Sequence, residues 1–192
     1  GMQAVLQQNP QIGIVGPMSN YVSGPQLVPD TSYRTLSELD RYAVQWAAEH
    51  TMQIASVSRI VGFCLLAHRS VFNRIGGLDE RYGSGNFEDD DLCIRAALVG
   101  YKGCIAQDVF IHHTGSQTFK GANIDYRQSM LHNWNLFKTK WGIPAGTPIE
   151  KGYCITIKAT DPSMYYVPLP DLSLDHRPTI DLHWWEETST TG

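Results

Sequence analysis

The chain has no long hydrophobic run. Its longest apolar stretch, residues 60–67, falls far short of the roughly 20 residues a membrane-spanning helix needs. Cysteine is scarce and unpatterned: Cys64, Cys93, Cys104 and Cys154 show no CxxC spacing and sit among apolar residues. That argues against a zinc ribbon or a disulfide framework and for small buried hydrophobes. Basic residues do not dominate either. Lys and Arg total 15 against 19 Asp and Glu, for a formal net charge of -4, and no basic cluster forms. Nucleic acid therefore has no electrostatic footprint here. The start of the chain lacks the basic, apolar and small-residue succession of a secretory signal, so a cytoplasmic protein is expected. Internal repeats and low-complexity tracts are also absent.

What is present is enough apolar residue, 42% of 192, to bury a core in one domain. Residues 2–8 read as a helix closed by Asn9-Pro10, and residues 11–15 as a short β-branched strand. Gly, Pro, Ser and Asn then crowd residues 16–25 as a loop. Thr35 with Glu38 forms a capping-box signature, and Leu36, Leu39, Ala43, Trp46 and Ala47 follow at helical spacing, predicting a helix to about His50. Residues 59–67 read as a buried strand. Ser70 is placed as the cap of a short helix ended by Gly76-Gly77. A helix after residue 88 closes at Gly100, two short strands cover 102–106 and 109–112, and a last helix spans 126–141. That last helix carries Met130, Trp134, Phe137 and Trp141 on one stripe before Gly142. Residues 2–142 thus form an α/β layered domain, and residues 143–192 a proline-bearing tail with a strand near 153–159 and an exposed Trp184-Trp185.

Two features carry chemistry. Glu88, Asp89, Asp90 and Asp91 are consecutive acids at a predicted helix N-terminus, after the glycine-rich turn Gly83-Ser84-Gly85-Asn86. The helix dipole offsets one or two such charges by roughly 0.3 to 1 kcal/mol each, not four. Arg95, one turn on, is placed to neutralise Asp91. Glu88 and Asp89 remain for acid–base work. Some twenty residues later, His112 and His113 precede Thr114-Gly115-Ser116. On a strand only one of the two histidines can face the acidic helix, where it could serve as a metal ligand.

Residues 60–79, with Val-Gly-Phe-Cys-Leu-Leu followed by Arg-Ser-Val-Phe-Asn-Arg-Ile-Gly-Gly-Leu-Asp, resemble the acceptor-side segment of family 2 glycosyltransferases of the GT-A fold. The resemblance continues through the Glu-Asp-x-Asp-Leu motif at residues 88–92 and the histidine-glycine-serine loop at 112–116, covering about residues 3–140. It implies a partial GT-A fold, a nucleotide-diphospho-sugar transferase-like layered sheet with flanking helices. It also implies inverting transfer of a sugar from a nucleotide-sugar donor to a glycan or other acceptor hydroxyl. Asp89 would be the base, with Glu88 and Asp91 orienting the acceptor or the base. Gly83, Gly85, Asn86, Arg95 and Ser116 would bind substrate. His112 is the better match to the metal-side histidine, and His113 the second choice, for Mn2+ or Mg2+ bound only with the donor-binding half. No strand ending in Asp-x-Asp precedes residue 20, so the resemblance implies an acceptor-side fragment, catalytically incomplete alone. Its open sheet edge suggests a homodimer. A non-catalytic glycan-binding module and a metal-dependent hydrolase are the competing readings.

Overall fold

The computed structural model describes residues 1–115 and 125–149, and the backbone of two short strands at 156–158 and 179–181. The architecture is mixed α/β. Helix α1 (Met2–Gln8) leads into β1 (Ile12–Met18), followed by α2 (Leu36–Glu49), β2 (Ile54–Val57), β3 (Leu66–Ala67) and α3 (Arg69–Ile75). Then come α4 (Glu88–Leu98), β4 (Lys102–Phe110) and α5 (Tyr126–Trp141), and β5 (Thr156–Lys158) pairs antiparallel with β6 (Thr179–Asp181). The main sheet runs β2-β4-β1-β3, with β4 parallel to β1 and both edge strands antiparallel to their neighbours.

Alternation along the two central strands sends side chains to opposite faces. Val15, Cys104 and Ala106 pack with Val5 and Leu6 of α1 on one face. Ile14, Met18 and Ile105 pack on the other with Val71 and Ile75 of α3 and Leu92, Cys93 and Ala96 of α4. A further layer lies outside α4, where Ile94 meets Trp134, Phe137 and Trp141 of α5 together with Tyr82 and Phe87. Helix α4 is therefore buried on both sides, which fixes its N-terminus relative to the sheet and to α5.

Several sequence expectations are met. Thr35 and Glu38 make the reciprocal capping box, and Gly142 takes the left-handed conformation that stops α5. The strand expected at 59–67 is not one. The backbone N–H groups of Ile60, Val61 and Gly62 donate to Cys93 Sγ (3.3 Å), Gln26 Oε1 (2.8 Å) and Asp89 Oδ2 (2.7 Å), so side chains take the bonds a ladder would use. Only Leu66 and Ala67 pair with β1, while the strand beside β4 is 54–57. The two strands expected at 102–106 and 109–112 form one, β4, with a register irregularity where the break was placed. Helix α3 starts at Arg69, with His68 rather than Ser70 at its N-cap, because the His68 ring accepts from the Ser70 N–H. No residue of α2 is fully buried, and Leu36 is 80% exposed despite its helical spacing, since it sits at the helix start beyond the edge of the core. Cys93 and Cys104 are buried and Cys64 is half-buried, all as free thiols. Cys154 and Trp184-Trp185 lie outside the described residues. Among the described residues no helix is long and apolar enough to cross a membrane.

Candidate functional site

The four acids at the start of α4 meet four different environments. Asp91 is fully buried: Arg95 Nε lies 2.8 Å from Oδ2, while Lys140 Nζ at 2.6 Å and Trp141 Nε1 at 3.0 Å share Oδ1. Lys140 also reaches Asp79 Oδ2 at 2.8 Å. Burial opposes ionisation of Asp79, but bonds from Arg81 and Lys140 overcome it and hold its carboxyl well below the usual range. Asp90 pairs with Arg59, whose Nε lies 2.5 Å away and whose Nη1 donates to Ser23 Oγ at 2.7 Å. Burial pushes the Asp90 carboxyl up, with Arg59 working against the rise and Asp89 adding to it. The ion-pair distance favours the charged form.

Asp89 and Glu88 stand on the cleft side, where Arg59 is the nearby cation. Asp89 Oδ2 accepts from the Gly62 N–H at 2.7 Å and Oδ1 from the Asp90 N–H at 2.9 Å, which fixes the carboxylate in orientation. Burial first, then the Asp89 charge, pushes the Glu88 carboxyl up to about 7, with Arg59 working against the rise. Glu88 Oε2 is buried without a partner, as is Asn86 Nδ2.

Both acids open onto a cleft of about 980 Å³ between the N-terminus of α4, the loop after β1, segment 61–63 and the loop after β4. Gly62 fits closely there, because a Cβ at this position would lie 3.1 Å from the Asp89 Cβ. Gln26, itself buried, ties this segment to β1 by accepting from the Val61 N–H and donating from Nε2 to Pro17 O at 2.9 Å. On the other side Phe87 is the N-cap of α4 but makes no side-chain cap, and Asn86 and Phe87 both adopt positive φ, 78° and 72°. Such conformations cost on the order of 1–3 kcal/mol each for non-glycine residues and persist only where the surroundings impose them.

His113 lines the cleft and His112 does not. The preference between them reverses because β4 ends at Phe110, so both lie in a loop and strand alternation no longer governs them. Asn20 brackets His113, donating from Nδ2 to its carbonyl at 3.2 Å and accepting its N–H at 2.8 Å. The His113 ring stacks on Phe63 at 4.9 Å, and its Nδ1 lies 2.6 Å from Tyr21 O. A carbonyl only accepts, so Nδ1 is the donor in this contact. His112 Nδ1 instead meets Tyr33 OH at 2.6 Å.

Of the residues expected at the site, Asp89, Glu88, Gly85, Asn86 and His113 come together. Asp91 and Arg95 do not: Arg95 is buried and donates to Ile75 O and Gly77 O as well as Asp91, so both are structural. Gly83 lies off the cleft, and Ser116 is outside the described residues. Sequence reasoning missed Arg59, Gly62, Gln26 and the aromatic pair Tyr21 and Phe63. The excess of acids over local cations was the one signal pointing to Arg59. Among the described residues no three His, Cys, Asp or Glu side chains are grouped to hold a metal. The described residues therefore do not by themselves fit a divalent ion. Protein-family models, curated proteins and solved structures give no match to this chain.

Proposed function

We propose that the cleft prepares an acceptor hydroxyl for inverting sugar transfer from a nucleotide-sugar donor, within a sheet of partial GT-A type. The observation that carries the reading is Asp89, buried and held by two backbone N–H groups, beside the half-buried Glu88 at one wall of a cleft with aromatic faces. A carboxylate whose two oxygens are each tied to a backbone N–H is held ready to take a proton without reorganising. In this reading the acceptor oxygen gives its proton to Asp89 as it bonds to the anomeric carbon. The bond from that carbon to the donor phosphate oxygen breaks, and the electron pair leaves on the nucleoside diphosphate. A single displacement inverts the anomeric centre. Glu88, raised to about 7, donates to a sugar oxygen in its protonated form, and Phe63 and Tyr21 offer faces on which a pyranose stacks.

The test is acceptor-dependent release of nucleoside diphosphate across a panel of nucleotide sugars. Asp89→Asn is expected to lower turnover about 10²- to 10⁴-fold, the usual span for general-base removal. Retained turnover would eliminate Asp89 as the base. The aromatic faces also suit a glycan-binding module without chemistry. Glycan binding unchanged in Asp89→Asn, with no diphosphate release by the unmodified protein, would favour that second reading.

A further inference from the structure

The turn that delivers Glu88 and Asp89 has one backbone bond of its own, from the Gly85 N–H to Tyr82 O at 3.4 Å, and a left-handed course that this bond alone does not fix. Positive φ occurs at Gly83, Gly85, Asn86 and Phe87, at 59°, 121°, 78° and 72°. Two of these residues carry side chains that disfavour it. A polar N-cap would normally fix the chain where it joins a helix, yet Phe87 supplies no such bond. The restraint comes from another element. Asn133 of α5 is 2% exposed, and its Nδ2 donates to Tyr82 O at 2.7 Å, Gly85 O at 2.7 Å and Asn86 O at 3.3 Å. Tyr82 and Phe87, at the two ends of the turn, pack in the same cluster as the neighbouring Trp134 and Phe137.

We infer that Asn133 is a positioning residue for the cleft: its one carboxamide holds the left-handed turn 83–87 and so sets where Glu88 and Asp89 stand. The inference rests on the reading of the cleft as a transfer site, but the clamp itself is measurable without any substrate. Asn133 touches no reacting group. It acts by collecting the carbonyl oxygens of Tyr82, Gly85 and Asn86 on one buried carboxamide, leaving the turn one conformation. Of the four buried polar side-chain atoms without a partner among the described residues, Asn86 Nδ2 and Glu88 Oε2 belong to the end of this turn. The clamp thus holds unsatisfied groups at the cleft, as a preorganised binding surface requires.

In the unmodified protein the Asn133 side-chain amide protons are expected to exchange slowly with solvent, and fast exchange would overturn the inference. Asn133→Leu keeps the volume and removes the donors, so backbone exchange over residues 83–89 should accelerate at least tenfold while that of β1 and β4 is unchanged. In the transfer assay its kcat should fall about 10- to 100-fold with the nucleotide-sugar KM preserved. Asn133→Asp supplies a separate readout: the ionised carboxyl cannot donate, but on acidification it regains one donor, so part of the protection of 83–89 should return at low pH in this variant alone. Unchanged exchange over 83–89 in both variants would sink the clamp. An unmodified protein that transfers no sugar would sink the functional reading instead, with the exchange result still deciding the role of Asn133.

Discussion

Helix α4 carries one run of acids into two regions that treat charge in opposite ways. Toward α5, Asp91 is closed in with Arg95, Lys140 and the Trp141 indole, and every carboxylate oxygen has a cationic partner. Toward the cleft, Asp89 accepts from the backbone N–H groups of Gly62 and Asp90, and Glu88 Oε2 has no hydrogen-bond partner among the described residues. Less than one helical turn separates a network that welds α4 to α5 from two carboxyls that line the cleft. Acid clustering alone therefore says little about function. The information is in which acids the fold closes in with cations and which it turns to the cleft.

The sharpest way to break this comparison is Asp91→Ala. It would leave Arg95 and Lys140 with one carboxylate between them, Asp79, which Arg81 already shares. Loss of one partner from a buried ion network costs about 3–5 kcal/mol, so the urea midpoint should fall steeply. A loss below 1 kcal/mol would show that the closed side is no more structural than the open one.

Glu88→Gln probes the open side by sign. From its ordinary 4.5 the Glu88 carboxyl is raised to about 7, so between those values the folded chain holds a proton that the unfolded chain has released. Stability attributable to this group therefore falls as pH rises from 4.5 to 7 and stays reduced above it. The glutamine variant does not titrate. It should be more stable than the parent by about 1–2 kcal/mol above pH 7, after allowance for partial solvation, and equal to it below pH 4.5. Denaturation at pH 4 and pH 8 measures both ends, and an equal gap at the two would place the titration elsewhere.

The two sides were not equally legible in the sequence. Local signals were read well: the Thr35 capping box, the Trp134, Phe137 and Trp141 stripe, the Gly142 stop and the acids at a helix start all depend on residues within a few positions of one another. Even the Asp91–Arg95 pair follows from helical spacing. What failed was long-range. Arg59 reaches Asp90 across 31 positions, Lys140 reaches Asp79 across 61, and Asn133 reaches Gly85 across 48. Nothing near any of these residues announces its partner. Residues 60–62 were misread as strand for the same reason, since an apolar run looks alike whether its amides go to a neighbouring strand or to Cys93, Gln26 and Asp89.

The finest test of the open side is Gly62→Ala. The glycine donates its N–H to Asp89 and leaves room for it, and an alanine Cβ would stand 3.1 Å from the Asp89 Cβ, so one of the two must move by a few tenths of an ångström. The substitution keeps the backbone donor, adds no charge and lies away from the Asp91 network. Its effect on folding should stay within about 1 kcal/mol, as for substitutions outside core, cap and ion network. Catalysis that depends on a carboxylate held in one orientation tolerates such shifts poorly, and turnover should fall about tenfold. If turnover holds while Asp89→Asn abolishes it, Asp89 has slack that the two backbone bonds do not remove. If both variants are inactive and both remain folded, it is the placement of Asp89 as well as its charge that the cleft uses.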